Sequence, residues 1–333
     1  MDALHAVLEY PPVGEVALAD APRLRLVRDL PRPVAPDRGP ARAAASEYLR
    51  ALRPQHWLKN LLTFLPLLAA HLFFQPLLLG RTVAVFVAFC CCASSGYLVN
   101  DLCDLPADRR HPRKRLRPFA SGRLPQSYGW VAAPTLAILG CTLAGMVSGL
   151  ALGVVLLYLA ATLAYSLSFK KIEVLDVVVL ACLYTLRIVG GAAAISLWPS
   201  IWLFAFSMFL FISLALVKRY AELMTMRSVD GERARARGYE LSDAELLSST
   251  GTTSGYAAVV VLALYIASGA AQTLYSRHQL MWLVCPLLLY WIGYVWLKAH
   301  RGAMHHDPLV FALRDRRSRT VLMLMLAAAA AAM

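Results

Sequence analysis

The chain has 333 residues, 59% of them hydrophobic, and a mean hydropathy of +0.57. A soluble domain carries about half apolar residues; here they gather in successive stretches of roughly 20, each able to cross about 30 Å of hydrocarbon, which excludes a soluble globular fold. The formal net charge of +13 comes from cations clustered between those stretches, a topology signal and not a nucleic-acid one.

Residues 1–45 are polar and rich in Pro and Arg, with no apolar core of a secretory signal. This segment is expected to be a poorly ordered cytosolic arm, with an amphipathic part near 43–52 leading into a single membrane domain over 46–333. Nine spans follow, at about 58–79, 82–103, 128–147, 149–168, 175–196, 200–217, 252–272, 279–299 and 319–333, an all-α polytopic membrane protein. In and flanking the loops after spans 2, 4, 6 and 8 there are 21 Lys and Arg, against 2 after spans 1, 3, 5 and 7. The positive-inside rule then puts the N-terminus and the basic loops in the cytosol and the C-terminus outside, in an inner (cytoplasmic) membrane. The seven cysteines show no metal spacing; Cys90, Cys91 and Cys92 are consecutive and cannot all face one ion.

At the entrance of span 1, "RPQHWLKN" supplies Arg53, Trp57 as an interfacial anchor, and Lys59, either a snorkelling anchor or a phosphate contact. Span 2 ends in "NDLCDLPADRR". At about 100° per residue, Asn100, Asp104, Asp108 and Asp101 fall at roughly 0°, 40°, 80° and 100°, one narrow face if the helix persists past Pro106. Carboxylates gathered at a membrane boundary repel one another and are costly to desolvate. Mg²⁺ offsets that cost, because it favours a few carboxylates together with substrate phosphate oxygens. Asp101, Asp104 and Asp108 are therefore the candidate metal ligands and catalytic residues, with Asn100 beside them. The alternative is a solvated acidic turn balanced by arginines.

The cations that follow are Arg109, Arg110, Arg113, Lys114, Arg115, Arg117 and Arg123. Some set topology or meet anionic headgroups, and others, Arg115 among the candidates, clamp phosphates. After span 4, "YSLSFKKIEVLD" offers Tyr165, Lys170, Lys171, Glu173 and Asp176, the two acids at a spacing of three and so able to share a helix face. Arg187 lies about 18 Å into span 5, where it needs a substrate phosphate or an internal carboxylate as partner, or else belongs to a structural ion pair. Lys218, Arg219 and Arg227 follow span 6, with Glu222 in place to pair with Lys218.

Taken together, the "NDxxDxxxD" pattern, the Tyr/Lys/Asp cluster after span 4 and the nine spans resemble the UbiA-type membrane prenyltransferase superfamily from Arg53 onward. "RPQHWLKN", "FLPLL", "YSLSFKK", "LRIVGGAAA", "KRYAEL" and "DPLVFALRDRRSR" resemble its decaprenyl-phosphate phosphoribosyltransferase branch. The resemblance implies nine helices around a central cavity capped by cytosolic loops. It also implies Mg²⁺-dependent transfer of 5-phosphoribose from phosphoribosyl pyrophosphate to a polyprenyl phosphate. The superfamily's first aspartate motif maps onto Asn100, Asp101, Asp104 and Asp108. The second site departs from the common pattern, with Tyr165 and Lys170 five apart and Glu173 and Asp176 as its acids. Two other readings stand beside this one: transfer of a prenyl group from a prenyl diphosphate to an aromatic ring, and a non-catalytic transporter or lipid-binding protein. No nucleic-acid partner is expected, and no oligomeric state follows from the sequence.

Overall fold

The computed structural model describes residues 45–110, 114–230, 235–236, 238–304 and 307–333. The expected disordered arm lies, except for Ala45, outside the described residues. Helix α1 (Ala45–Leu52) leads into a 3₁₀ helix (Pro54–Phe64) and α2 (Leu65–Ala69). Then come α3 (Pro76–Cys103), α4 (Leu105–Arg110), α5 (Gln126–Val147), α6 (Gly149–Leu167), α7 (Leu175–Ala194) and α8 (Ile201–Asp230). Strands β1 (Arg235–Ala236) and β2 (Tyr239–Glu240) pair antiparallel, Arg235 opposite Glu240. The chain closes with α9 (Ala244–Ala267), α10 (Gly269–Leu274), α11 (Val284–His300), α12 (Pro308–Arg314) and α13 (Arg316–Ala332).

The expected all-α polytopic architecture is what the structure shows. Among the described residues seven helices are long and apolar enough to cross a membrane, and the count of nine is not reached by that measure. The two remaining spans are built from shorter pieces. Pro66 lacks the N–H that an α-helical bond to Leu62 requires, and the first span is broken beside it into the 3₁₀ helix and α2. At about 2.0 and 1.5 Å of rise per residue the two pieces together still extend roughly 30 Å. The last span is α13, 17 residues long. Large apolar side chains such as Trp130, Val131, Ile138, Met146 and Leu157 stand exposed on α5 and α6, which suits lipid and not water.

Two packed clusters meet along α7. Phe89, Val155 and Tyr158 belong to the one built by α3, α5, α6 and α7, and Leu216, Ile266, Trp291 and Val295 to the one built by α7, α8, α9 and α11. α7 is the most enclosed of the seven spans. It also takes the 3₁₀ helix against its backbone: a Cβ on Gly191 would lie 1.9 Å from the Thr63 carbonyl oxygen. Gly191→Ala is therefore expected to push the first span away and destabilise the protein by about 1–3 kcal/mol. The thermal unfolding midpoint in detergent reports it, and an unchanged midpoint contradicts this packing.

The junction at the end of α3 matters for the site. Asp104 N–H donates to the Asn100 carbonyl at 2.9 Å and Asp108 N–H to the Asp104 carbonyl at 2.8 Å, so helical bonding continues through the bend at Asp104. Pro106 lies in the first turn of α4, where its missing N–H is harmless. A second special point precedes α7. Val174 has φ 61°, strained for a β-branched residue, and its N–H donates to the Tyr239 hydroxyl at 2.7 Å.

Candidate active site

The start of the 3₁₀ helix, the second halves of α3 and α6, the middle of α7, Lys218 of α8 and the segments that carry Lys114, Arg117 and Lys170 come together at one end of the bundle. They surround a cavity of about 220 Å³. Seven lining side chains are cationic, Arg53, Lys59, Lys114, Arg117, Lys170, Arg187 and Lys218, and one, Asp104, is a carboxylate. Tyr158, Tyr165 and Tyr184 add hydroxyls, and Ala93, Gly96, Leu180 and Leu183 an apolar wall. A concave site with this excess of positive charge selects for polyanions.

The acidic motif is brought together at the end of α3, but its members differ in role. Asp101, 2% exposed, accepts from Arg53 at 2.6 Å and from Arg117 at 3.1 Å. Asp108, equally buried, accepts from Arg117 at 2.6 Å. Arg117 thus bridges two carboxylates that would otherwise repel. Asp104 alone lines the cavity together with Asn100. The Lys170 ammonium lies 2.9 Å from both Asp104 oxygens and 3.2 Å from Asn100 Oδ1. No group of three His, Cys, Asp or Glu side chains among the described residues is placed to hold a metal, so the three-aspartate cage is not the arrangement seen. A smaller donor set does fit. The hard oxygens of Asn100 and Asp104 already hold one cation, the Lys170 ammonium, and Mg²⁺ commonly takes one or two carboxylates and completes its shell with phosphate and water.

The region after α6 divides differently from its sequence pattern. Glu173 precedes α7 and is exposed, whereas Asp176 is fully buried. The turn at Val174 separates them, so they do not share a face. Asp176 is paired with Arg219 and accepts from the Tyr239 hydroxyl at 2.9 Å. Arg219 also donates to Tyr165 at 2.7 Å and to Glu222 at 2.5 Å. Glu222 is thus the partner of Arg219, not of Lys218 as its spacing suggested. Lys171 and Arg115 are exposed and stand outside the cavity lining, whose neighbouring cations are Lys170, Lys114 and Arg117.

Arg187 is 5% exposed and lines the cavity. It donates to Asn60 at 2.7 Å, to Tyr158 at 2.9 Å and to the Leu183 carbonyl. Neutral acceptors hold it, and no carboxylate among the described residues pairs with it. Lys59 is neither free nor snorkelling: it donates to Asp307 at 2.6 Å. Trp57 donates to Ser94 at 3.0 Å, which ties the entrance of the chain to α3.

Three organising residues are absent from the sequence-based candidates. Arg219 reads there as one more cation after span 6, and Asp307 falls only within the quoted "DPLVFALRDRRSR"; only long-range contacts reveal either. His56, in the first turn of the 3₁₀ helix, lines the cavity.

Fold and site together define a polytopic membrane protein with a one-ended, strongly cationic cavity beside an acidic motif. The model of the UbiA prenyltransferase family matches residues 61–317, and the chain belongs to that family of membrane enzymes. The transporter reading loses its support with that membership. The chain is similar to an uncharacterized protein, y4nM, of Sinorhizobium fredii, 39% identical over 82% of this chain and 53% of that protein. It thus spans about half the length of that relative. It is 38% identical to the nodulation protein NoeC of Azorhizobium caulinodans over 81% of this chain and 88% of that one. The decaprenyl-phosphate phosphoribosyltransferase of Mycolicibacterium smegmatis is 35% identical over 56% of this chain and 60% of its own. Among solved structures, a UbiA homolog from Archaeoglobus fulgidus bound to GPP and Mg²⁺ shares the fold, with TM-score 0.64 at 17% identity over 85% of this chain and 99% of that one.

Proposed function

We propose that the protein transfers 5-phosphoribose from phosphoribosyl pyrophosphate to a polyprenyl phosphate of decaprenyl type, releasing pyrophosphate, as a step toward lipid-linked arabinofuranose. The asymmetry of Lys and Arg between alternate loops supports a site on the cytosolic side of the inner membrane. The observation that carries the reading is the cation set of the cavity: seven Lys and Arg line it, against four carboxylates, Asp101, Asp104, Asp108 and Asp307, paired with them. Six of the seven fall into two groups. Arg53, Arg117 and Lys170 surround the acidic motif. Lys59 and Lys218 surround Asp307, with Arg187 lining the same cavity. Phosphoribosyl pyrophosphate has two separate anionic ends, and the acceptor brings a third phosphate. The phosphoribosyltransferase relative, matched over part of its length, supports the same reading.

Asn100 and Asp104 are the residues that would hold Mg²⁺ with the donor pyrophosphate, and Asp101 and Asp108 fix the arginines around them. A bound Mg²⁺ supplies charge neutralisation of the departing pyrophosphate. Lys170, displaced from Asp104, turns to a donor phosphate. The acceptor's apolar tail lies in the bilayer with its phosphate at the cavity. Its phosphate oxygen attacks the anomeric carbon as the C–O bond to pyrophosphate breaks. That oxygen is already anionic at neutral pH, so no general base is needed, and positioning and electrostatics carry the rate.

Lys170→Ala is expected to weaken donor binding more than acceptor binding, by about 1–3 kcal/mol for one lost charge-assisted hydrogen bond. Equal loss for both substrates contradicts its placement. The second reading is prenyl transfer from a prenyl diphosphate to an aromatic acceptor; a prenyl diphosphate, GPP, is the ligand of the fold neighbour from Archaeoglobus fulgidus. Purified protein separates the two. Pyrophosphate release from phosphoribosyl pyrophosphate plus a polyprenyl phosphate supports the first; release only from a prenyl diphosphate plus 4-hydroxybenzoate overturns it.

A further inference from the structure

Asp307 comes from the loop before α12, far along the chain from every other member of the site. Its side chain is 6% exposed. Oδ2 lies 2.6 Å from the Lys59 ammonium, 3.7 Å from that of Lys218 and 3.3 Å from the Tyr184 hydroxyl. Oδ1 accepts from the Leu309 N–H at 3.2 Å, so the carboxylate also caps α12 and is itself fixed in place. The two lysines are treated unequally. Lys59, 9% exposed, is held close and lies 5.5 Å from the Tyr184 ring centroid. Lys218, 27% exposed, is only loosely paired and faces the cavity.

We infer that Asp307 is a positioning residue: it locks Lys59 as its fixed counter-ion and orients Lys218 toward the cavity as a ligand for a diphosphate. The inference rests on the proposed reading of the cavity as a phosphate-donor site. Two like charges in so enclosed a place need a compensating anion, and one carboxylate between two ammoniums leaves a net positive charge for the ligand. The other titratable and charged groups facing this cluster are Arg53 and His56 at the start of the 3₁₀ helix, Tyr97 on α3, and Tyr184 and Arg187 on α7. Burial pushes the Asp307 carboxyl up, but Lys59 and Lys218 outweigh it and hold it well below the usual carboxylate range.

The test is the affinity of the full-length protein in detergent for inorganic pyrophosphate, by calorimetry. Pyrophosphate is common to both donor classes, so the result stands whichever group is transferred. Asp307→Asn is expected to weaken pyrophosphate binding about tenfold at neutral pH. Asp307→Glu should restore most of it, and Lys218→Ala should cost less affinity in the Asp307→Asn background than in the wild type. An Asp307→Asn protein with wild-type unfolding and wild-type pyrophosphate affinity overturns the inference. If Asp307→Asn does not fold, the apolar pair Asp307→Leu/Lys59→Met removes the buried charges together. In that background Lys218→Ala should cost less affinity than in the wild type; an equal cost shows that Lys218 does not depend on Asp307.

Discussion

Replacing Asp104 by alanine is expected to lower turnover by at least about 10²-fold while leaving the unfolding midpoint close to wild type. Asp104 is the acidic-motif member that faces the cavity, 32% exposed in its side chain, and its ion pair is with Lys170. Little packing is lost with it, but the carboxylate that would hold the metal is gone. Asp101→Ala should lose activity as well, for a compound reason. That change strips a buried counter-ion from Arg53 and Arg117, and leaving buried cations uncompensated costs about 3–5 kcal/mol. The pair of variants separates site chemistry from site scaffolding. Turnover measured across a Mg²⁺ titration, with thermal unfolding alongside, is the check; near wild-type turnover of Asp104→Ala sinks the metal assignment.

Arg219→Ala is expected to destabilise the protein by about 3–5 kcal/mol. The Arg219 side chain is 0% exposed and serves three partners, Asp176, Tyr165 and Glu222. Its loss leaves the Asp176 carboxylate, also 0% exposed, with the Tyr239 hydroxyl as a neutral donor. That hydroxyl also accepts from the Val174 N–H at 2.7 Å, so the hairpin that carries Tyr239 is tied to the start of α7 through it. The combined replacement Arg219→Met/Asp176→Leu should recover much of the stability, because an apolar pair of similar volume often serves as well as a buried ion pair. A single variant with a wild-type unfolding midpoint would falsify the account of this cluster.

Several parts of this were legible in the sequence because their signals are local. The apolar runs gave the helices, and the i, i+1, i+4 and i+8 spacing of Asn100, Asp101, Asp104 and Asp108 placed the acidic motif at the end of α3. What the sequence could not show was which acids face inward. Glu173 and Asp176 have helical spacing, but the positive φ at Val174 starts the helix between them, and only Asp176 enters the core. Lys218 and Glu222 have the spacing of a helix pair, yet tertiary partners win: Lys218 turns to Asp307 and Glu222 to Arg219. Lys59 and Asp307 are 248 residues apart, and no local pattern joins them. The first span read as one apolar stretch, whereas Pro66 and the contact at Gly191 make it a broken element lying against α7.

The central claim is that ribose 5-phosphate moves to the lipid and pyrophosphate stays behind. Phosphoribosyl pyrophosphate labelled separately at its 5-phosphate and at its β-phosphorus, given to the purified protein with Mg²⁺ and a polyprenyl phosphate, tests it most directly. The account predicts that the 5-phosphate label passes into the organic-soluble fraction and that the β-phosphorus label remains in water as pyrophosphate. Both labels remaining in unconverted donor, under conditions where a prenyl diphosphate and 4-hydroxybenzoate are consumed, would contradict it.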